Sequence, residues 1–153
     1  MKLKFKQQQY QTDATMAVIK CFEGQGKGYR KEVVSRSAID QGLWGTEIKV
    51  DEIFSNKKLE LAESDILKNV QALQKEQGLK DNNQLKGLNF TIEMETGTGK
   101  TYVYLRTIIE LHEKYGFKKF VIVVQGLAIR EGVDHSIKIM KQHFKNLYNN
   151  IYP

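Results

Sequence analysis

Apolar positions along the chain fall into a helical pattern near the start, an irregular middle and a strongly ordered last third. Tyr10, Ala14, Ala17, Val18 and Cys21 recur at helical spacing and predict a helix over residues 7–22. Gly24, Gly26 and Gly28 break it. Residues 29–62 show only short alternating pieces, such as Glu47-Ile48-Lys49-Val50, and no continuous element is expected there. Ser64 is suited to cap a helix carrying Ile66, Leu67, Val70 and Leu73 and stopped at Gly78. Asp81-Asn82-Asn83 reads as a turn.

The pattern is cleaner beyond residue 89. Residues 90–94 alternate as a strand, a glycine-rich turn follows, and a helix is predicted over residues 100–115, ended by Gly116. Residues 119–124 are rich in β-branched side chains and predict a buried parallel strand. A last amphipathic helix over residues 127–147 places Val133, Ile137, Met140, Phe144 and Leu147 on one face. Strand, helix, strand, helix in that order is a βαβα unit with a right-handed crossover. The expected class is therefore α/β with a parallel sheet. No internal repeat or low-complexity tract is present.

The turn inside this unit carries the chemistry. It reads Met94-Glu95-Thr96-Gly97-Thr98-Gly99-Lys100-Thr101 and sits between a predicted strand and a predicted helix, where a phosphate-binding loop belongs. Gly97 and Gly99 can take positive φ and turn successive amides inward around a phosphate. Lys100 supplies a point charge for the β and γ phosphates, and the Thr101 hydroxyl can ligate Mg²⁺. The positive end of the following helix adds to the attraction. Met94 stands where the standard loop has its first glycine.

A non-glycine at that position resembles the loop of superfamily 2 helicases and translocases. Residues 90–102 are similar to the matching segment of the restriction (Res) subunit of type III restriction–modification enzymes. Val121-Ile122-Val123-Val124 followed by Ala128-Ile129-Arg130-Glu131-Gly132-Val133 resembles that family's next helicase motif. Phe5-Lys6-Gln7-Gln8-Gln9-Tyr10-Gln11 resembles its adenine-reading segment, in which a Tyr-Gln pair opens a helix. The three stretches occur in the family's order. The resemblance implies a partial RecA-like P-loop domain, the amino-terminal part of helicase domain 1. Residues 1–28 would be the adenine-reading segment, 29–88 a variable insert and 89–147 the P-loop unit. It implies ATP and Mg²⁺ as cofactors. Gly97, Thr98, Gly99, Lys100 and Thr101 would hold the triphosphate and metal, Gln11 would read adenine, and Arg130 would contact the DNA backbone. Double-stranded DNA and a modification (Mod) methyltransferase subunit are the implied partners, and DNA translocation coupled to endonuclease cleavage the implied activity.

Two features depart from the family pattern. Gln125-Gly126 replaces a proline-containing turn, and the acidic Walker B pair, the second RecA-like domain and the nuclease domain are not encoded in this chain. The chain is therefore expected to be a fragment that does not hydrolyse ATP by itself. A non-catalytic remnant that binds nucleotide or partner weakly stays open, as does a free-standing P-loop nucleotide-binding protein or kinase. The kinase reading expects an intact first glycine in the loop and mobile arginines downstream, and neither is seen.

Composition adds limits. The 153 residues carry a net charge of +6, with most of the excess beyond residue 95, which permits nucleic-acid contact without requiring it. Lys138, Lys141 and Lys145 beside Arg130 read either as a solvated helix face or as phosphate contacts. Cys21 alone makes no internal disulfide, and His112, His135 and His143 are too scattered to form a ligand set. Residues 46–52 end in the acidic pair Asp51-Glu52, but Glu47 and Lys49 break the apolar pattern of a central strand, so this is expected to be a solvated edge. Tyr102 and Tyr104 are expected to be packing and rim residues. The longest strongly apolar run, residues 120–124, is far below the ~20 residues needed to span a bilayer, and the basic amino terminus has no apolar stretch behind it. No membrane partner is expected, and the cytoplasm is the expected compartment.

Overall fold

The computed structural model of the chain describes residues 5–37 and 48–148. Thr46 and Glu47 of the acidic segment lie outside the described residues. The described elements are α1 (Gln9–Cys21), β1 (Tyr29–Ser37), β2 (Ile48–Asn56), α2 (Glu63–Glu76), α3 (Lys100–Tyr115) and α4 (Leu127–Leu147).

The four helices stand close to where apolar spacing places them, and their ends have visible causes. Gly78 and Gly116 sit just past α2 and α3 at φ 67° and 75°, a left-handed conformation that glycine adopts without a Cβ penalty. Ser64 does not cap α2. The helix begins two residues earlier than that cap would start it, at Glu63 behind Ala62, with no side-chain cap, and Glu63 and Asp65 place negative charge in its first turn instead.

The irregular middle, where the sequence pattern announces only the solvated edge at residues 46–52, contains a hairpin. β1 and β2 form an antiparallel ladder running from the pair Tyr29–Asn56 to Ser37–Ile48. Asp51 and Glu52 lie within it, opposite Val34 and Val33, and so are not at the tip of a central parallel strand.

The expected parallel sheet is not formed among the described residues, where β1–β2 is the only sheet. Residues 90–94 and 119–124 run as irregular backbone on either side of α3. The physical reason is pairing: β-branched composition suits a pleated surface, but a strand exists only where a neighbour takes its backbone groups. Among the described residues neither segment pairs with a neighbouring strand, and Val121 and Val123 are 87% and 88% exposed.

The core instead lies between helices. Tyr102, Leu105 and Ile109 of α3 meet Met140 and Phe144 of α4, with the Phe144 ring stacked on Tyr102 at 5.3 Å. Tyr102 is thus a packing residue, and Tyr104 packs at the edge of the same cluster. On its other side α3 packs against α1, and the Tyr115 hydroxyl donates to the Ile19 carbonyl at 2.9 Å. Arg106 is buried at the junction of all three helices. It donates to the Thr12 hydroxyl at 2.8 Å and approaches Glu110, which accepts from the Tyr148 hydroxyl at 2.7 Å.

Candidate functional site

The glycine-rich turn leads directly into α3, with Gly99 as its N-cap residue. Gly97 and Gly99 both have positive φ, 83° and 86°. Glycine is required at these two positions for different reasons. A Cβ at Gly97 would meet nothing within 4 Å, so only its backbone conformation demands it. A Cβ at Gly99 would come within 2.6 Å of the Gln11 side-chain nitrogen, so both backbone and space demand it. Between them, Thr98 folds back on the loop, its hydroxyl donating to the Glu95 carbonyl at 2.6 Å. The amides of Gly97, Gly99, Lys100 and Thr101 donate to no acceptor among the described residues. Free amides at the first turn of a helix are what an anion uses.

Lys100 lies folded over the turn, donating to the carbonyls of Met94 at 2.6 Å and Glu95 at 2.8 Å. The side chain is exposed and these contacts are with backbone oxygen atoms only, so the ammonium can exchange them for phosphate oxygens at small cost. Thr101 follows in the first turn of α3, half-buried.

Helix α1 comes to the loop from the opposite end of the chain. The Tyr10 hydroxyl and the Gln11 side-chain amide both donate to the Thr98 carbonyl, at 3.2 and 3.0 Å. The structure therefore brings Gln11, Gly97, Thr98, Gly99, Lys100 and Thr101 together. A cavity of about 700 Å³ opens beside them, lined by Tyr10, Asp13 and Ala14 of α1, by residues 91–95 and by Thr98. Arg130 does not join this group. It lies in the first turns of α4 and lines a separate cavity of about 410 Å³ with Val124, Val133 and Asp134.

Two contributors were not legible as such in the sequence. Tyr10 holds the loop through its hydroxyl, whereas the sequence marks it only as Gln11's neighbour. Arg106 anchors α1 to α3 behind the loop, and its one signal is a lone cation on the apolar face of α3. The histidines do not converge. The His143 imidazole is 3.1 Å from the Tyr102 hydroxyl, and burial, then the nearby Arg106 charge, lowers its pKa from the ordinary 6.5. No group of three or more His, Cys, Asp or Glu side chains placed to hold a metal occurs among the described residues.

A glycine-rich turn with two left-handed residues, leading into a helix that starts Lys-Thr, is a turn of the phosphate-binding-loop class. The sequence matches the family described as type III restriction enzyme, res subunit, over residues 4–152, and the chain belongs to that family. Among curated relatives, it is 37% identical over 101 residues to the type III restriction-modification enzyme EcoP15I Res subunit of Escherichia coli. That alignment covers 63% of this chain and 10% of the relative. It is 53% identical over 64 residues to the StyLTI Res subunit of Salmonella typhimurium strain LT2, covering 40% of this chain and 6% of that protein. The EcoPI Res subunit of Escherichia phage P1 is 37% identical over 98 residues, 61% of this chain and 10% of the relative. The chain thus spans about a tenth or less of the length of these relatives. Among the described residues no helix is long and apolar enough to cross a membrane.

Proposed function

We propose that this chain is the nucleotide-holding, amino-terminal part of a RecA-like ATP-binding domain in a type III Res subunit. Residues 1–28 form its adenine-reading segment, 29–88 its insert and 89–147 its P-loop unit. The observation that carries the reading is the pair of hydrogen bonds from Tyr10 and Gln11 to the Thr98 carbonyl. Gln11 and Thr98, both singled out by the resemblance and nearly 90 positions apart, meet at one turn.

In this reading the amides of Gly97, Gly99, Lys100 and Thr101 take phosphate oxygens. Lys100 leaves the Met94 and Glu95 carbonyls to pair with the triphosphate, and the Thr101 hydroxyl is the protein ligand to Mg²⁺ carried by ATP. The Gln11 amide has a second N–H and a carbonyl oxygen beyond its bond to Thr98, enough to read both a donor and an acceptor on the adenine edge. Hydrolysis of the ATP held here would supply the free energy for translocation along double-stranded DNA in complex with a Mod subunit, with Arg130 as a backbone contact.

A calorimetric titration with Mg²⁺-ATP tests the loop assignment. Lys100→Ala removes charge-assisted contacts worth roughly 1.5–3 kcal/mol and should weaken binding about ten- to a hundredfold. Equal affinity in the two proteins would end the proposal.

A further inference from the structure

We infer that the base of the β1–β2 hairpin, where it abuts the carboxyl end of α3, is a contact surface for the phosphate backbone of duplex DNA, separate from the loop. Two backbone devices build it. The Gly28 amide donates to the Tyr115 carbonyl at 3.0 Å, and the two chains approach so closely that a Cβ at Gly116 would sit 2.8 Å from the Gly28 carbonyl oxygen. Beside this, Asn56 clamps the chain after α3. Its oxygen accepts from the amides of Lys118 and Lys119 at 2.7 and 2.9 Å, and its nitrogen donates to the Lys119 carbonyl at 2.8 Å.

These contacts gather cations from three distant parts of the sequence. Asn56 holds the backbone of Lys119, and Lys27, Arg30, Lys57, Lys58, Lys114 and Lys118 all lie within two residues of Gly28, Gly116 or Asn56. No carboxylate does. Glu60, four residues beyond Asn56, pairs with Lys57 at 2.6 Å. The Lys118 ammonium lies 4.9 Å above the half-exposed ring of Tyr29. Seven cations set against Glu60 and Glu113, the latter three residues from Gly116, leave a net charge of about five on this patch, compared with +6 for the whole chain.

The chemistry selects the occupant. Lysine ammonium groups are point charges suited to phosphate, not to bidentate reading of base edges. The one side chain there with a base-reading amide, Asn56, has both ends engaged by backbone. A regularly charged, rigid polyanion is what a fixed set of lysines on three clamped segments fits, and the contact should be indifferent to base sequence. The patch lies at the far end of α3 from Lys100, about 24 Å away for a helix of 16 residues, so a loop lesion leaves it intact.

Anisotropy of a labelled 20-bp duplex, titrated with the full chain at several salt concentrations, tests this. Each lysine paired with a phosphate contributes about 0.9 to the slope of log affinity against log salt. The triple variant Lys58→Ala/Lys118→Ala/Lys119→Ala should lose about 2–3 from that slope and bind at least tenfold more weakly at low salt. Arginine at the same positions should retain binding, and Lys75→Ala/Lys80→Ala/Lys86→Ala, which removes equal charge elsewhere, should keep the slope. Asn56 grips backbone, so alanine at these positions leaves the clamp in place. Should the triple variant melt early, Lys58→Ala alone should still lower the slope by about 0.9. Failure of the wild-type chain to bind duplex DNA, or equal losses in the two triple variants, would overturn the inference. Lys100→Ala, which tests the loop, should leave DNA binding unchanged.

Discussion

Gly97 and Gly99 differ in what their surroundings demand, and the difference is measurable. Both need a left-handed backbone, which costs an ordinary residue roughly 1–2 kcal/mol. Only at Gly99 would a methyl group also displace Gln11. Gly99→Ala should therefore lower the melting temperature and the affinity for ATP more than Gly97→Ala, by differential scanning fluorimetry and calorimetry. Equal effects would mean that the contact with Gln11 has no energetic weight. Gln11 can be tested separately: Gln11→Ala should narrow the difference between ATP and GTP while triphosphate binding largely survives. Equal weakening of both nucleotides would assign Gln11 to holding the loop through Thr98 and not to the base. The glycines, Lys100 and Thr101 were legible because their chemistry is local, written in consecutive residues. The bonds of Tyr10 and Gln11 to Thr98 were not, since they join distant parts of the chain.

Helices were the most readable elements because their pattern requires only a partner face. Met140 and Phe144 fall on the predicted face of α4 and are the residues buried against α3. The hairpin was missed because Arg30-Lys31-Glu32 interrupts any apolar alternation in β1, and a ribbon stabilised by its own ladder needs none. The strands at residues 90–94 and 119–124 are expected from alternation and from β-branched composition respectively, and neither supplies a neighbour. Phe144 is nearly fully buried, so Phe144→Ala should cost about 3–5 kcal/mol in denaturant unfolding. A loss below about 1 kcal/mol would mean that α4 is not docked as described. The same interface carries a pH dependence. The pKa of His143 is lower in the folded chain than its ordinary 6.5, because burial and then Arg106 disfavour the charged ring. Its contribution is complete above 6.5 and declines as pH falls below that value, where the unfolded chain takes up the proton first. Melting temperatures at pH 7.5 and 5.5 should differ more for the wild type than for His143→Gln; identical pH sensitivity would remove His143 from this role.

At the scale of the whole molecule, membership of the Res family and the geometry of the turn support the proposed nucleotide binding, whereas turnover makes further demands. Hydrolysis of a γ-phosphate requires a carboxylate to help fix Mg²⁺, a positioned water and positive charge at the transition state. Residues 124–126 after the second predicted strand offer Val-Gln-Gly, and Glu131 and Asp134 stand exposed on α4. We therefore expect phosphate release by this 153-residue chain to remain at background with or without DNA. DNA-stimulated release abolished by Lys100→Ala would contradict that expectation. Whether the turn cradles phosphate while α1 reads the base is decided by amide NMR of the ¹⁵N-labelled chain during titration with Mg²⁺-ATP. Saturable shifts are expected for the Gly97, Gly99, Lys100 and Thr101 amides together with the Gln11 side-chain amide, and with Mg²⁺-triphosphate alone the loop shifts without those of Gln11. Shifts confined to other residues, or none at millimolar ATP, would contradict both roles.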